Sequence, residues 1–87
     1  MADLDEVRAF RAVVVAGSVK AAAEALAMPR STLRRRLAAL EQRVGVSLLW
    51  TDAAGVHPTP AGRVLMREGE AIIDAYQTLI ERARAAD

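Results

Sequence analysis

The stretch MPRSTLRRRLAALE, from Met28 to Glu41, decides the fold of this 87-residue chain. Pro29 cannot continue a preceding helix because it has no backbone donor, but its fixed φ suits the start of a new one. A helix is therefore predicted from about 30 to 44, with one buried stripe at helical spacing: Leu33, Leu37, Leu40 and Val44. The opposite face is polar and basic, and it carries Ser31, Arg35, Ala38 and Gln42, with Arg34 and Thr32 on its flanks.

A first helix is predicted at the N-terminus, from about residue 4 to 16. Asp3 and Glu6 have the N-cap and N3 spacing of a capping box. Apolar side chains then recur at helical spacing, at Val7, Phe10, Val13 and Val14. Gly17 suits the left-handed residue that ends such a helix.

A second, shorter helix is predicted between Gly17 and Pro29. Ser18 suits its N-cap, and the helix is expected to cover residues 19–27. Its inward-facing side chains are expected to be Ala22, Ala23 and Leu26.

The segment after Gly45 predicts a small hairpin and then a long helix. VSLLW (46–50) has the composition of a short strand, TDAAG (51–55) has turn chemistry, and VHP (56–58) is expected to return as a second strand. Thr59 then suits an N-cap with Pro60 at the first helical position, so a helix is expected from about 60 to 85.

The apolar side chains of this last helix alternate spacings of four and three, which is a heptad pattern. A stripe so wide on a terminal helix predicts a partner that covers it. Its interface is expected to contain Leu65, Ile72, Ile73, Tyr76, Leu79 and Ile80.

Composition excludes several other classes of protein. The chain has no cysteine and one histidine, so we expect no metal site and no cofactor. No apolar run approaches the roughly 20 residues of a membrane span, and the acidic N-terminus is unlike a signal peptide, which favours a cytoplasmic protein. The net charge is only +1, but residues 18–63 hold seven basic and three acidic side chains, as a surface for a polyanion would.

Together these elements predict a mainly α fold, a winged helix-turn-helix followed by a linker and dimerisation helix. The expected division is a DNA-binding domain over 1–58 and the linker helix over 59–87. The major groove accepts one helix, and side chains near the N-terminus of that helix reach base edges. Those positions are Arg30, Ser31, Thr32, Arg34 and Arg35.

Several stretches, in order, also resemble one known family. LDEVRAFRAVVVAGSVKAAAEALAMPRSTLRRRLAALEQRVGVSLL (4–49) is similar to the helix-turn-helix block of LysR-type transcriptional regulators, and PTPAG (58–62) resembles the element that opens their linker helix. The resemblance covers essentially the whole chain. It implies recognition of double-stranded DNA at a pseudo-palindromic operator by a homodimer with antiparallel linker helices. A small-molecule effector is implied only if the full protein has the C-terminal domain usual in that family.

Departures from the family pattern imply a different base preference. Pro29, Arg30 and Ser31 replace the usual Ser-Gln-Pro or Ser-Gln-Ser, and Arg34 replaces a usual serine or threonine. The wing lacks its frequent arginines, since Thr51, Ala54 and His57 stand there instead. With the resemblance included, the full set of expected DNA contacts is Ser18, Lys20, Arg30, Ser31, Thr32, Arg34, Arg35, Arg36 and His57.

Two other classes of function stay open at this point. The depleted wing and modest net charge also fit a winged-helix module that binds another protein and little or no DNA. An enzyme is the weakest alternative, because the serines lack a second histidine or a thiol and no glycine-rich phosphate loop or paired-carboxylate cleft is recognisable.

Overall fold

The computed structural model describes residues 2–87 and contains four helices and one hairpin within that range. The elements are α1 (Ala2–Ala16), α2 (Val19–Leu26), α3 (Arg30–Val44), β1 (Leu49–Asp52), β2 (Gly55–Pro58) and α4 (Pro60–Ala86). The predicted architecture, a winged helix-turn-helix followed by a long helix, is confirmed. No helix in the described range is both long and apolar enough to cross a membrane.

The helix boundaries follow the capping residues that the sequence offers. The Ser18 hydroxyl accepts a hydrogen bond from the Ala21 amide at 3.0 Å, which satisfies one of the free donors at the start of α2. Gly17 and Gly45 lie in the left-handed region, at φ 81° and 87°. Ala27 does so as well, at φ 53°, and its amide caps the end of α2, so a non-glycine residue makes this turn.

The first turn of α1 differs from the predicted capping box. The helix already begins at Ala2, so Asp3 lies inside the first turn rather than at the N-cap. The Glu6 carboxylate instead reaches across to α3, where it accepts two hydrogen bonds from Arg43. A tertiary ion pair thus replaces the local contact that the spacing predicted.

The core lies where α1, α2, α3 and the base of the wing meet. Its fully buried large side chains are Phe10, Val13, Leu33 and Leu48. Leu40 joins them and Leu37 packs at the edge, so three members of the predicted stripe of α3 face inward. The prediction was wrong for Val44 and Leu26, which are 43% and 37% exposed. Both lie at the C-terminal ends of their helices, where the neighbouring helices no longer cover them.

The wing is a two-stranded antiparallel hairpin that is hydrogen-bonded to the turn before α2. Trp50 pairs with His57 across the strands, and Gly55 closes the turn at a positive φ of 127°. The Val56 amide donates to the Gly17 carbonyl at 2.9 Å, which joins the hairpin to the turn between α1 and α2. The position of the wing relative to the helices is therefore set by main-chain bonding.

Thr59 joins the wing to α4. Its hydroxyl donates to the Ser47 carbonyl at 2.7 Å and accepts from the Gly62 amide at 3.1 Å, which confirms the predicted N-cap. Gly62 is buried against the Leu48 carbonyl, where a side chain would not fit. From there α4 continues for 27 residues, about 40 Å at 1.5 Å per residue, and gives the molecule its long axis of 50 Å.

Candidate nucleic-acid interface

The exposed face of α3 carries the side chains that the sequence singled out. Arg30, Ser31, Arg34 and Arg35 are all exposed. Ser31 and Arg35 lie on the side of the helix away from the buried Leu33, Arg34 lies on a flank, and Arg30 projects from the first turn. Thr32 and Arg36 lie on the flank and are half-buried. The structure therefore places the leucines of this helix inward and its arginines in solvent, as the spacing predicted.

These cations have no acidic partner among residues 2–87. The ion pairs in that range use other side chains: Arg11 with Glu70, Arg43 with Asp3 and Glu6, His57 with Asp52, and Arg67 with Glu68. Lys20 and the arginines at positions 30, 34, 35 and 36 are outside this set. Their charge is accordingly uncompensated within the described chain and is available to an external anion.

The first turn of α3 is electrostatically unusual. It contains Arg30 and no acidic residue, and its N-cap residue, Pro29, makes no side-chain hydrogen bond. The N-terminus of a helix carries a partial positive charge, so a cation there is unfavourable unless an anion lies nearby. The start of α2 has the same character, with Lys20 and no acid in the first turn. The local charge arrangement of both helices suits a negatively charged ligand.

Ser18 and Lys20 lie at the start of α2, the helix that precedes α3. Lys20 is exposed, whereas Ser18 is half-buried because its hydroxyl caps the helix. The cap uses one lone pair of the Ser18 oxygen and leaves its hydroxyl proton free to donate. A structural role and a ligand contact are thus compatible at this residue.

A shallow groove of about 360 Å³ runs between α3 and the wing. Arg34 lies on its α3 side and Thr51 on its wing side. Its remaining lining is Val19, Leu37, Ala38, Glu41, Ser47, Leu49 and Val56. Arg34 therefore points toward the wing side of α3, while Arg35 lies on the outermost ridge, so the two arginines present charge in two directions.

The outer face of the wing holds a cluster of three side chains. His57 Nε2 lies 2.8 Å from Asp52 Oδ1, and the His57 and Trp50 rings are 4.5 Å apart between centroids. The hydrogen bond from His57 is the main reason that the pKa of Asp52 lies below its ordinary value, with the Ala54 amide adding to it. His57, a predicted DNA contact, is thus already engaged within the chain, although its side chain remains 34% exposed.

Asp52 was not singled out from the sequence. Its contact with His57 depends on the register of the hairpin, in which Asp52 is opposite Gly55 and His57 is opposite Trp50. Diagonal neighbours of this kind on one face of a hairpin can be identified only once the turn is known. The wing consequently presents an acidic group beside His57.

The predicted dimer residues of α4 fall into two groups. Ile72, Leu79 and Ile80 are exposed, and Ile73 and Tyr76 are half-buried. Leu65 differs, because it packs against the cluster of Phe10, Leu40 and Leu48 in the core of its own chain. Among the predicted residues, the free apolar surface therefore begins at Ile72, seven residues or about two turns after Leu65.

Residues 2–87 contain no group of three or more His, Asp or Glu side chains that could hold a metal ion. The candidate surface in this part of the chain consists of exposed cations on α2 and α3. A helix-turn-helix with an exposed basic second helix, a hairpin wing and a long following helix defines the class of winged helix-turn-helix proteins.

Comparison with known proteins identifies the family within this class. A family model described as a bacterial regulatory helix-turn-helix protein of the lysR family matches residues 4–63. The chain belongs to the LysR family, and the family predicted from the sequence is confirmed. The HTH-type transcriptional regulator TfdS of Cupriavidus pinatubonensis is 36% identical over 81 residues, which is 93% of this chain and 28% of TfdS.

Two solved structures show the same architecture. The LysR family transcriptional regulator CbnR superposes with a TM-score of 0.91 at 31% identity, over 95% of this chain and 29% of CbnR. A complex of the CbnR DBD with DNA superposes with a TM-score of 0.87 at the same identity, over 95% of each chain. The present chain thus spans about a quarter of the length of full regulators, and it matches nearly the whole of the CbnR fragment in the DNA complex.

Proposed function

We propose that this chain is the DNA-binding module of a transcriptional regulator and that α3 binds in the major groove of double-stranded DNA. The observation that carries the proposal is the set of exposed, uncompensated cations on α3, opposite its buried leucines. CbnR, a structural neighbour, is seen bound to DNA through its corresponding domain. An α-helix fits the width of the major groove, and arginine can donate two hydrogen bonds to a guanine edge.

Within this proposal the candidate residues have different roles. Arg30, Ser31, Arg34 and Arg35 lie on the exposed face and are assigned to bases and adjacent phosphates. Thr32 and Arg36, on the flank, are assigned to phosphates, together with Ser18 and Lys20 at the start of α2. His57 is assigned a minor role in DNA binding, because its Nε2 is already hydrogen-bonded to Asp52, which adds negative charge to the wing.

A homodimer through α4 is the second part of the proposal. Ile72, Leu79 and Ile80 expose apolar side chains on a helix that extends away from the head, and monomeric proteins seldom expose such a stripe. Antiparallel pairing of two such helices would present two reading heads to a pseudo-palindromic site. The division into a head over 1–58 and a linker helix over 59–87 belongs to this proposal.

The wider role follows from the relatives. We infer that the chain acts by binding and not by catalysis, because its named relatives are regulators. We also infer that it works in the cytoplasm, where a bacterial chromosome is accessible. A small-molecule effector belongs to the proposal only for a longer protein with a further domain.

The proposal is tested by selection of bound sequences from a random duplex library at low salt, followed by titration of the selected duplex. We expect the Arg34→Ala/Arg35→Ala variant to lose affinity by about a hundredfold, since each good base contact contributes about 1–3 kcal/mol. The affinity of this variant should also depend less steeply on salt, because each lost phosphate contact lowers the slope of log affinity against log salt concentration by about 0.9.

The matched control is Arg82→Ala/Arg84→Ala, which makes the same change in net charge at exposed positions near the end of α4. It should bind within a few-fold of the wild type. Equal losses of affinity in the two double variants would mean that the effect comes from net charge alone. If the wild type enriches no sequence, or if the α3 variant binds as the wild type does, the chain is better described as a protein-interaction module.

A further inference from the structure

The contact between α1 and α4 is built around one arginine and one glycine. The Arg11 guanidinium donates to the main-chain carbonyl of Met66 and lies 3.5 Å from that of Leu65. Its second amino group lies 3.4 Å from the Glu70 carboxylate. The Arg11 side chain is only 19% exposed, so most of it is enclosed between the two helices.

Gly69 makes this contact possible. A Cβ at position 69 would lie 3.1 Å from Val7 Cγ1, 3.4 Å from Arg11 Cδ and 3.8 Å from Arg11 Nη1. Glycine in the middle of a helix is less favourable than alanine, so its presence in α4 needs a reason. The reason here is close approach: without a side chain at 69, α1 packs against the backbone of α4 and Arg11 reaches the carbonyls.

This contact is also the last place where α4 is held by the head. Gly69 is the final buried residue of α4, and beyond it only Ile73 and Tyr76 are even half-buried. On the other side, α1 is fixed to α3 through the core and through the Glu6 and Arg43 pair. This junction is consequently the last buried contact between α4 and the rest of the described chain.

We propose that Arg11 and Gly69 are positioning residues that fix the angle between the linker helix and the reading head, and thereby the spacing of half-sites that a dimer accepts. The inference rests on the proposed DNA-binding dimer. The 17 residues after Gly69 extend about 25 Å, so a change of about 10° at the junction moves their far end by roughly 4 Å. That displacement is comparable to one base-pair step of about 3.4 Å.

Two substitutions act on the junction in different ways. Arg11→Met keeps the apolar stem but removes every donor, so the angle becomes less restricted. Gly69→Leu places a side chain between the helices and forces them apart, so they are held at a different angle. Glu70→Gln is the matched control, because its carboxylate is exposed and the bond from Arg11 to the α4 backbone remains.

The experiment measures the distance between the two heads in the free dimer. The chain has no cysteine, so Gln42→Cys places one spin label on the exposed face of α3 in each protomer. Double electron–electron resonance should give one narrow distance for the parent and for Glu70→Gln. It should give a broad distribution for Arg11→Met and a shifted distance for Gly69→Leu.

The same variants are then compared in selections from random duplexes. The wild type should show one dominant half-site spacing, and Arg11→Met should lose that preference. The affinity for a duplex with a single half-site should be the same in the two proteins. If Arg11→Met fails to fold, Arg11→Lys, which keeps the charge but has a single donor nitrogen in place of the guanidinium, should show an intermediate broadening of the distance distribution.

Identical narrow distances and identical spacing in the wild type, Arg11→Met and Gly69→Leu would overturn the role of the junction while leaving the DNA-binding dimer intact. If the Gln42→Cys parent shows no dipolar coupling, the proposed dimer does not form, and this inference fails with it. A loss of single half-site affinity equal to the loss on paired sites would also overturn it, because the junction would then act on the head itself.

Discussion

Two hydrogen bonds of 3.1 Å join the Glu6 carboxylate in α1 to the Arg43 guanidinium near the end of α3. Glu6 is buried, whereas half of the Arg43 side chain is exposed, and Asp3 approaches the same guanidinium at 3.2 Å. The hydrogen bonding of Arg43 to the Glu6 carboxylate is the main cause of the raised pKa of Arg43, and the charge of Asp3 adds to it. The pair holds the C-terminal half of α3 against α1.

We expect Arg43→Met to lower the melting temperature by several degrees, because it leaves the buried Glu6 carboxylate without its partner. Asp3→Asn should have little effect, since its pair with Arg43 is exposed at both ends. Thermal unfolding followed by circular dichroism measures both. The double variant Glu6→Met/Arg43→Met should recover part of the loss; a double variant that is as unstable as the sum of the single changes would contradict the pairing.

Ser18 provides a test that separates stability from binding. Aspartate caps a helix about as well as serine, so Ser18→Asp should keep the stability of the fold, whereas Ser18→Ala should lose about 1 kcal/mol. If the start of α2 lies near a phosphate, Ser18→Asp should nevertheless weaken DNA binding through repulsion of like charges. Unfolding in urea and titration of the selected duplex give the two quantities, and unimpaired binding by Ser18→Asp would remove Ser18 from the interface.

The two buried glycines of α4 should respond differently to the same substitution. At Gly62 a Cβ would overlap the carbonyl oxygen of Leu48, which belongs to the backbone and cannot easily move. At Gly69 the nearest atom belongs to the Val7 side chain, which can shift by a few tenths of an ångström. Gly62→Ala should therefore cost about 1–3 kcal/mol of unfolding free energy, and Gly69→Ala considerably less. Equal costs in chemical denaturation would contradict the close contact at Leu48.

The stability of the wing should depend on pH through the ionisation of Asp52. Its pKa is lowered below the ordinary value of 3.8, chiefly by the hydrogen bond from His57. A lowered folded-state pKa contributes stability that is present above the ordinary value and is lost as the pH falls through the folded-state value. The Asp52 carboxyl carbon should titrate below 3.8 by NMR, and closer to 3.8 in His57→Ala. Identical midpoints in the two proteins would contradict the pairing.

Much of the fold could be predicted because its signals are local. Ser18 and Thr59 cap helices through neighbouring amides, and Gly17 and Gly45 make the left-handed turns that the sequence indicates. Periodicity also identified the inward side of α3. Periodicity could not show where the helices that cover α3 end, which is why the predicted burial of Val44 was wrong.

The remaining features depend on contacts between distant segments. Glu6 meets Arg43 across 37 positions, and Arg11 meets Met66 across 55. No local pattern distinguishes these partners from other acids, arginines and carbonyls of the chain. The candidate interface on α3 was accessible from sequence because one helix carries both its leucines and its arginines, whereas the Asp52 and His57 pair required the register of the hairpin.

The central claim is that the exposed face of α3 is the surface that meets DNA. The most direct test is to add the selected duplex to isotope-labelled protein and follow the backbone amide signals by NMR. The largest shifts should fall between Arg30 and Ala38 and at the start of α2, with the signals after Gly69 nearly unchanged. Shifts confined to α4, with the amides around Arg34 and Arg35 unmoved, would contradict the claim.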